Sequence, residues 1–364
     1  MHKGVALISV CVLTCWMQQA RALMLMEDEL FPRPQFSDRM LSKTTGGFSA
    51  RLLSAVGQDS VEVSVNSQTE KRLFSALGVS AQGGWALSEK FRMTAAISAL
   101  RASAMTQFTE STSWKKDEAQ SEIVGKGHVF LLIKEGISVG AGAVYVLRPN
   151  ALESFEFAGQ SAVKKYARYS LWIPEFAAKK DAGSWSAGVG WRPRTTQSRT
   201  FTREGSGETA EIQEDVVLDE LWSAGVAVQL SNNRLLSLDV NLHGARSSSA
   251  GTNATVDGST STSASENDGR RRSEVSILYG FSEWAGHRLS LGAGYQSIAY
   301  SEQANVNPQS IPLWSVLIRD EFKRSELNIF IDGLFGFGSD LQSLPDLNAQ
   351  YRRAIVSVQT GVRF

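Results

Sequence analysis

The sequence predicts an all-β fold, a transmembrane antiparallel β-barrel of about fourteen strands within a range of roughly 12–16. Three observations carry this. Apolar and polar residues alternate in segment after segment from Phe48 onward. Short turns alternate with long polar connections. The final stretch, "RRAIVSVQTGVRF", keeps a period of two up to Phe364, the repeat of a strand with one apolar face.

Before the strands lies "MHKGVALISVCVLTCWMQQARA". Lys3 supplies a positive start, Val5 to Trp16 an apolar run, and Ala20-Arg21-Ala22 a small-residue cleavage pattern, which together read as a secretory signal over residues 1–22. The apolar run is too short for a membrane-spanning helix, which needs about 20 residues. Both cysteines, Cys11 and Cys15, fall inside this segment, so an exported chain would owe nothing to disulfides. Residues 23–47 lack a clear period and are expected to form a periplasmic tail or a small plug, with the tail favoured.

The barrel is expected over residues 48–364. Its first strand lies within 48–66, where "FSARLLSAVG" reads as strand or short helix and "VEVSV" is the other candidate. Six hairpins follow. Their bends are expected at Ser88 to Lys90, Glu135-Gly136, Lys179 to Gly183, Ser231-Asn232-Asn233, Glu283 to Gly286, and Lys323-Arg324. The terminal strand completes an even count. Between hairpins lie longer connections, among them "TQFTESTSWKKDEAQSEIVGK" and "GARSSSAGTNATVDGSTSTSASENDGRRR". The second is nearly free of large apolar residues, and such composition predicts mobility. No other segment is apolar enough for a spanning helix, and strands cross a bilayer only as a closed barrel. Short periplasmic turns alternating with long extracellular loops is the asymmetry such barrels show.

A barrel in lipid is apolar outside and polar inside. Leu236, Leu238, Val240 and Leu242 share one face against Ser237, Asp239, Asn241 and His243. Leu289, Leu291, Ala293 and Tyr295 likewise oppose Ser290, Gly292, Gly294 and Gln296. Trp and Tyr collect at membrane interfaces. Trp85 and Trp185 lie beside short turns, while Trp191, Trp222 and Trp314 lie at opposite strand ends. All five share the apolar parity and are expected to form an aromatic girdle. The alternative, core aromatics of a soluble β protein, does not call for two belts.

A signal segment, alternating strands and a last strand ending on Phe364 together resemble bacterial outer-membrane β-barrel proteins. The resemblance covers most of residues 48–364. It implies that the terminal aromatic strand is an assembly signal, with Phe364 recognised by the barrel-assembly machinery, and that this strand closes against the first. Val362 departs from the pattern, since many members carry an aromatic there. The strand count is similar to that of fatty-acid-channel-like transporters, on architecture alone.

Parity sends Arg92, Lys134, Arg168, Arg288, Arg319 and Arg353 inward as pore-lining candidates, with Asp239, Glu321 and Asp332. A net basic lumen would favour anionic solutes; equally, these charges pair across strands and fill the interior. Phe74, Phe130, Trp172, Leu278, Leu317, Phe330 and Leu334 are also expected inward. Lysine plus arginine balances aspartate plus glutamate at 37 each, so no basic field points to nucleic acid.

Catalysis is not expected. The histidines beyond residue 22 are His128, His243 and His287, whereas a metal site needs three or four ligands at defined spacing, and no serine stands out as a nucleophile. No metal or cofactor is expected. The glycine pairs in "GVG" and "GAG" read as strand glycines facing a crowded interior. The expected function is a channel or transporter for small solutes in the cell outer membrane. Its partners are then the lipid bilayer, the assembly machinery and the solute. The alternatives are a surface-interaction barrel with a blocked lumen, and a lipid-acting barrel enzyme.

Overall fold

The computed structural model describes residues 47–63, 68–108, 114–149, 151–157, 160–205, 208–218, 220–244, 248–256, 259–267, 270–300, 309–324, 327–344 and 347–363. The expected signal segment, residues 23–46 of the expected 23–47 tail or plug, and the terminal Phe364 lie outside them.

Four long strands open the barrel: β1 (Phe48–Val63), β2 (Gln68–Ala86), β3 (Phe91–Phe108) and β4 (Trp114–Lys134). β1 takes in all of "FSARLLSAVG" and, in the same run, the first three residues of "VEVSV"; Ser64 and Val65 lie outside the described residues. The next six staves of the wall are each two collinear segments. They are β5 (Ile137–Arg148) with β6 (Ala151–Phe157), β7 (Gln160–Tyr166) with β8 (Tyr169–Asp181), and β9 (Trp185–Arg192) with β10 (Thr195–Gly205). Then come β11 (Glu208–Leu218) with β12 (Glu220–Gln229), β13 (Leu235–Gly244) with β14 (Ser248–Val256), and β15 (Ser259–Asn267) with β16 (Arg270–Gly280). β17 (His287–Tyr300), β18 (Gln309–Arg324), β19 (Leu327–Leu344) and β20 (Leu347–Arg363) complete the circuit.

Counting collinear segments once gives fourteen staves, every neighbouring pair antiparallel, and β20 closes on β1 from Ser49↔Arg363 to Val63↔Ala349. Closure pairs the first strand with the last, whose edges in hydrocarbon would otherwise expose backbone groups to a medium without hydrogen-bond partners. Fourteen strands spaced about 4.8 Å apart and tilted about 40° enclose a backbone cylinder of roughly 28 Å diameter.

The turns fall close to expectation and show their chemistry. Gly136 (φ 73°) and Asn232 (φ 61°) take the left-handed backbone that two tight bends require. Two expected bends move outward along the chain: β8 runs on to Asp181, and Lys323 and Arg324 remain in β18, paired with Asn328 and Leu327.

The polar connections differ more. β3 and β4 stay paired up to Gln107↔Lys115, and β10 with β11 and β14 with β15 are paired hairpins. The segment expected to be mobile therefore contains two strands, Ser248–Val256 and Ser259–Asn267. Where both faces of a wall meet water, composition loses its period of two while backbone pairing continues.

Candidate functional site

The wall separates two faces. On β18, Trp314, Val316 and Ile318 are exposed on the outside while Leu313, Leu317 and Arg319 are buried inside. The same inversion holds on β1, β2, β13, β17, β19 and β20, where the outward apolar residues are the exposed ones. A continuous exposed apolar band is what a lipid-facing surface needs and what a soluble protein avoids.

Aromatic residues are among the exposed side chains of this face. Trp85, Trp185, Trp222 and Trp314 are exposed. Trp191 stands between Phe176 and Trp222 at ring separations of 5.5 and 5.8 Å, and Trp314 packs on Tyr295 at 4.7 Å. Trp172 departs from its expected inward position: it is 67% exposed and packs on Tyr145, while its neighbour Ile173 is the buried one.

Inside, the larger side chains lie flat against the wall, and glycines on the neighbouring strand make this possible. Phe74 lies over Gly57, Leu100 over Gly78, Phe130 over Gly140, Phe330 over Gly361 and Ile355 over Gly336. Each is a direct cross-strand pair. A Cβ on Gly336 would come 2.6 Å from Ile355, and one on Gly140 would come 2.5 Å from Phe130. Side chains laid sideways in this manner are buried without projecting into the bore.

The result is an apolar sector. Leu53, Ala55, Phe74, Ala76, Leu100, Leu278, Leu317, Leu334 and Ile355 form one connected cluster running from β16 through β20 to β3. Leu53 is wholly buried and Phe330 nearly so.

The facing sector, mostly β4 to β9, carries charges, and these pair. Arg148 Nε donates to Glu122 at 2.8 Å, both buried. His128 lies over Gly142, its Nε2 3.0 Å from Glu175, which also faces Arg192 at 3.8 Å. Higher on the wall, Lys116 and Arg72 both engage Glu118. Within the apolar sector, Arg319 donates through Nε and one Nη to both oxygens of Asp332, at 2.8 and 3.0 Å. A buried charge is tolerated only when paired in this manner.

The nine charged residues read from parity are distributed as follows. Asp239, Arg319 and Asp332 are buried on the inner face. Arg92 shares that face with its partner Phe130, and Arg288 shares it with Glu321. Arg353 sits over the Phe74 ring at 5.6 Å. Lys134 is exposed beside a bulge that shifts the β4 register between Leu132 and Lys134, and Arg168 is exposed between β7 and β8. Parity missed the ion pairs of Glu122, Arg148, Glu175 and Arg192, whose partners are set by register.

No three His, Cys, Asp or Glu side chains among the described residues are grouped to hold a metal. His287, 3.1 Å from Asp320, lies on the outer face of the opposite side of the barrel from His128.

No protein-family model and no curated protein matches the sequence. Solved structures do. The Pseudomonas putida toluene transporter TodX aligns with a TM-score of 0.62 at 12% identity, over 93% of this chain and 94% of that one. The deltaS2S3 mutant of the TodX monoaromatic hydrocarbon channel gives 0.65 at 13%, over 88% and 91%. A Pseudomonas aeruginosa FadL homologue gives 0.60 at 9%, over 87% and 89%. At these identities the likeness is one of fold: this chain shares with them a closed, antiparallel β-barrel, here of fourteen staves.

Proposed function

We propose that the protein is an outer-membrane barrel that passes small hydrophobic solutes, with aromatic hydrocarbons as the class to test first. The observation that carries this is the apolar inner sector, where Phe74, Leu317, Leu334 and Ile355 lie flat beside glycines. A general aqueous pore gains nothing from apolar lining, whereas a hydrophobic solute loses less on leaving lipid when apolar surface receives it, by about 25 cal/mol per Å². The structural neighbours named for toluene and monoaromatic hydrocarbons support the same class. Paired charges, such as Arg319 with Asp332, cancel the field that anion selection would need.

On this reading residues 1–22 direct export and Phe364 is the assembly signal. Arg92, Asp239, Arg288, Arg319, Glu321, Asp332 and Arg353 line the bore, and the five girdle tryptophans hold the barrel at the two interfaces.

The test is entry of radiolabelled toluene into vesicles that enclose a toluene-binding protein, with and without the reconstituted barrel. Faster entry than in empty vesicles, with no matching gain for a sugar of similar size, is the expected result. Equal acceleration of both solutes would show an aqueous pore and overturn the proposal.

A further inference from the structure

The outer face of β2, β3, β4 and β6 carries a feature that solute passage does not use. From Trp85 at the short-turn end of β2, the most exposed outward apolar residue of the strand is Leu77, at 59%, with Leu73 beyond it at 47%. Eight residues at about 3.3 Å each, tilted about 40°, rise roughly 20 Å, close to the top of a band about 25 Å tall. At this level Arg101 stands opposite Leu77, exposed on the outer face directly above Ile97 and Ala99. It has no ion-pair or hydrogen-bond partner among the described residues.

Immediately above Arg101 is a cavity of about 490 Å³. Phe74, Ala104 and Glu118, of inward parity, contribute to its floor, and register puts the other eight lining residues on the outer face in two rows. Ser75, Ser103, Ala119 and Leu152 form the lower row; Leu73, Met105, Asp117 and Ser154 form the upper one. Ser75 and Ser103 share a hydrogen bond at 3.0 Å on the surface. Lys71 and Lys115 flank the top, the latter 2.8 Å from Asp117.

We propose that this concavity holds the sugar headgroup of a phosphorylated glycolipid in the outer leaflet, a proposal that rests on the barrel spanning a membrane. Hydroxyl donors and acceptors set among Leu73, Met105 and Leu152 match a sugar ring, which is apolar on its faces and polar at its edge. Arg101 stands where a headgroup phosphate lies, at the boundary between the apolar band and water, and Lys71 stands above it. A guanidinium binds phosphate through two parallel hydrogen bonds. A single-phosphate glycerolipid would meet Arg101 but leave the cavity unfilled.

The experiment places the purified barrel in vesicles containing either lipid A or phosphatidylglycerol at equal charge. It then counts the lipids that remain bound after mild detergent extraction, by native mass spectrometry. Wild type is expected to retain lipid A over phosphatidylglycerol by tenfold or more. Arg101→Glu should abolish that preference, and so should Ser103→Trp, which fills the cavity without altering charge. Equal retention of the two lipids by wild type, or undiminished retention by both variants, would overturn the proposal. Failure to enter either kind of vesicle would instead refute the membrane reading beneath it.

Discussion

Phe330 and Gly361 face each other across β19 and β20, and a Cβ on Gly361 would come 2.5 Å from the ring's Cζ and 2.6 Å from the carbonyl oxygen of Ala50. The second atom belongs to the backbone of β1, so the ring alone cannot relieve the clash. Gly361→Ala is therefore expected to cost about 1–3 kcal/mol, the usual range for overpacking. Adding Phe330→Ala should recover only part of this. Urea unfolding of the barrel in lipid vesicles measures both; full recovery in the double variant would mean that β1 yields freely.

Arg319 and Asp332 supply a second measurable quantity. Asp332 is 2% exposed and accepts two hydrogen bonds from its partner. Removing one charge strands the other, so Asp332→Ala is expected to destabilise by about 3–5 kcal/mol, whereas the apolar pair Arg319→Met with Asp332→Leu should be near neutral. Unfolding midpoints of the two variants against the parent decide this. A mild effect of the single change would show that lumen water already solvates the guanidinium.

How far the sequence carried these features depends on which physical signal each one leaves. The faces of β13 and β17 are legible because an apolar outer face and a polar inner one impose a strict period of two. Trp172 was misassigned because β8 has bulky apolar residues on both faces: Ile173 inside, Trp172 and Phe176 outside. Parity does not say which apolar face meets lipid there. The bulge at Lys134 and the break at Arg168 reset parity locally and left no mark in composition. The pairing of Phe330 with Gly361, or of Glu122 with Arg148, depends on register between strands. Hairpin lengths set that register, and the long polar connections hid them by reading as loops.

The apolar sector makes a functional prediction separable from stability. Leu317 and Leu334 are direct cross-strand partners on the inner wall, both buried. Replacing both with serine removes roughly 20 Å² of apolar surface open to a passing hydrocarbon, worth about 0.5 kcal/mol, a factor of about two. Toluene entry should fall by that factor while entry of a small sugar does not fall. The vesicle assay reads both rates on one preparation. A parallel loss of both would point to a collapsed barrel.

The membrane reading itself predicts a gradient with depth along the outer face. Ile318 is exposed on β18, six residues from the Arg324 end, which places it roughly 15 Å up the wall and near the middle of the band. Gln58 is exposed on the outer face of β1, ten residues above Phe48 and so roughly 25 Å up, at the rim. Arginine at the first position must reach water from the centre of the hydrocarbon, and Ile318→Arg is expected to cost about 2–4 kcal/mol. Gln58→Arg begins in the interfacial region and should cost about 0–1 kcal/mol. Both sites have solvent-like exposure, so a barrel surrounded by water would tolerate the two substitutions equally. Equal unfolding free energies in vesicles would remove lipid from the account of why this outer face is apolar.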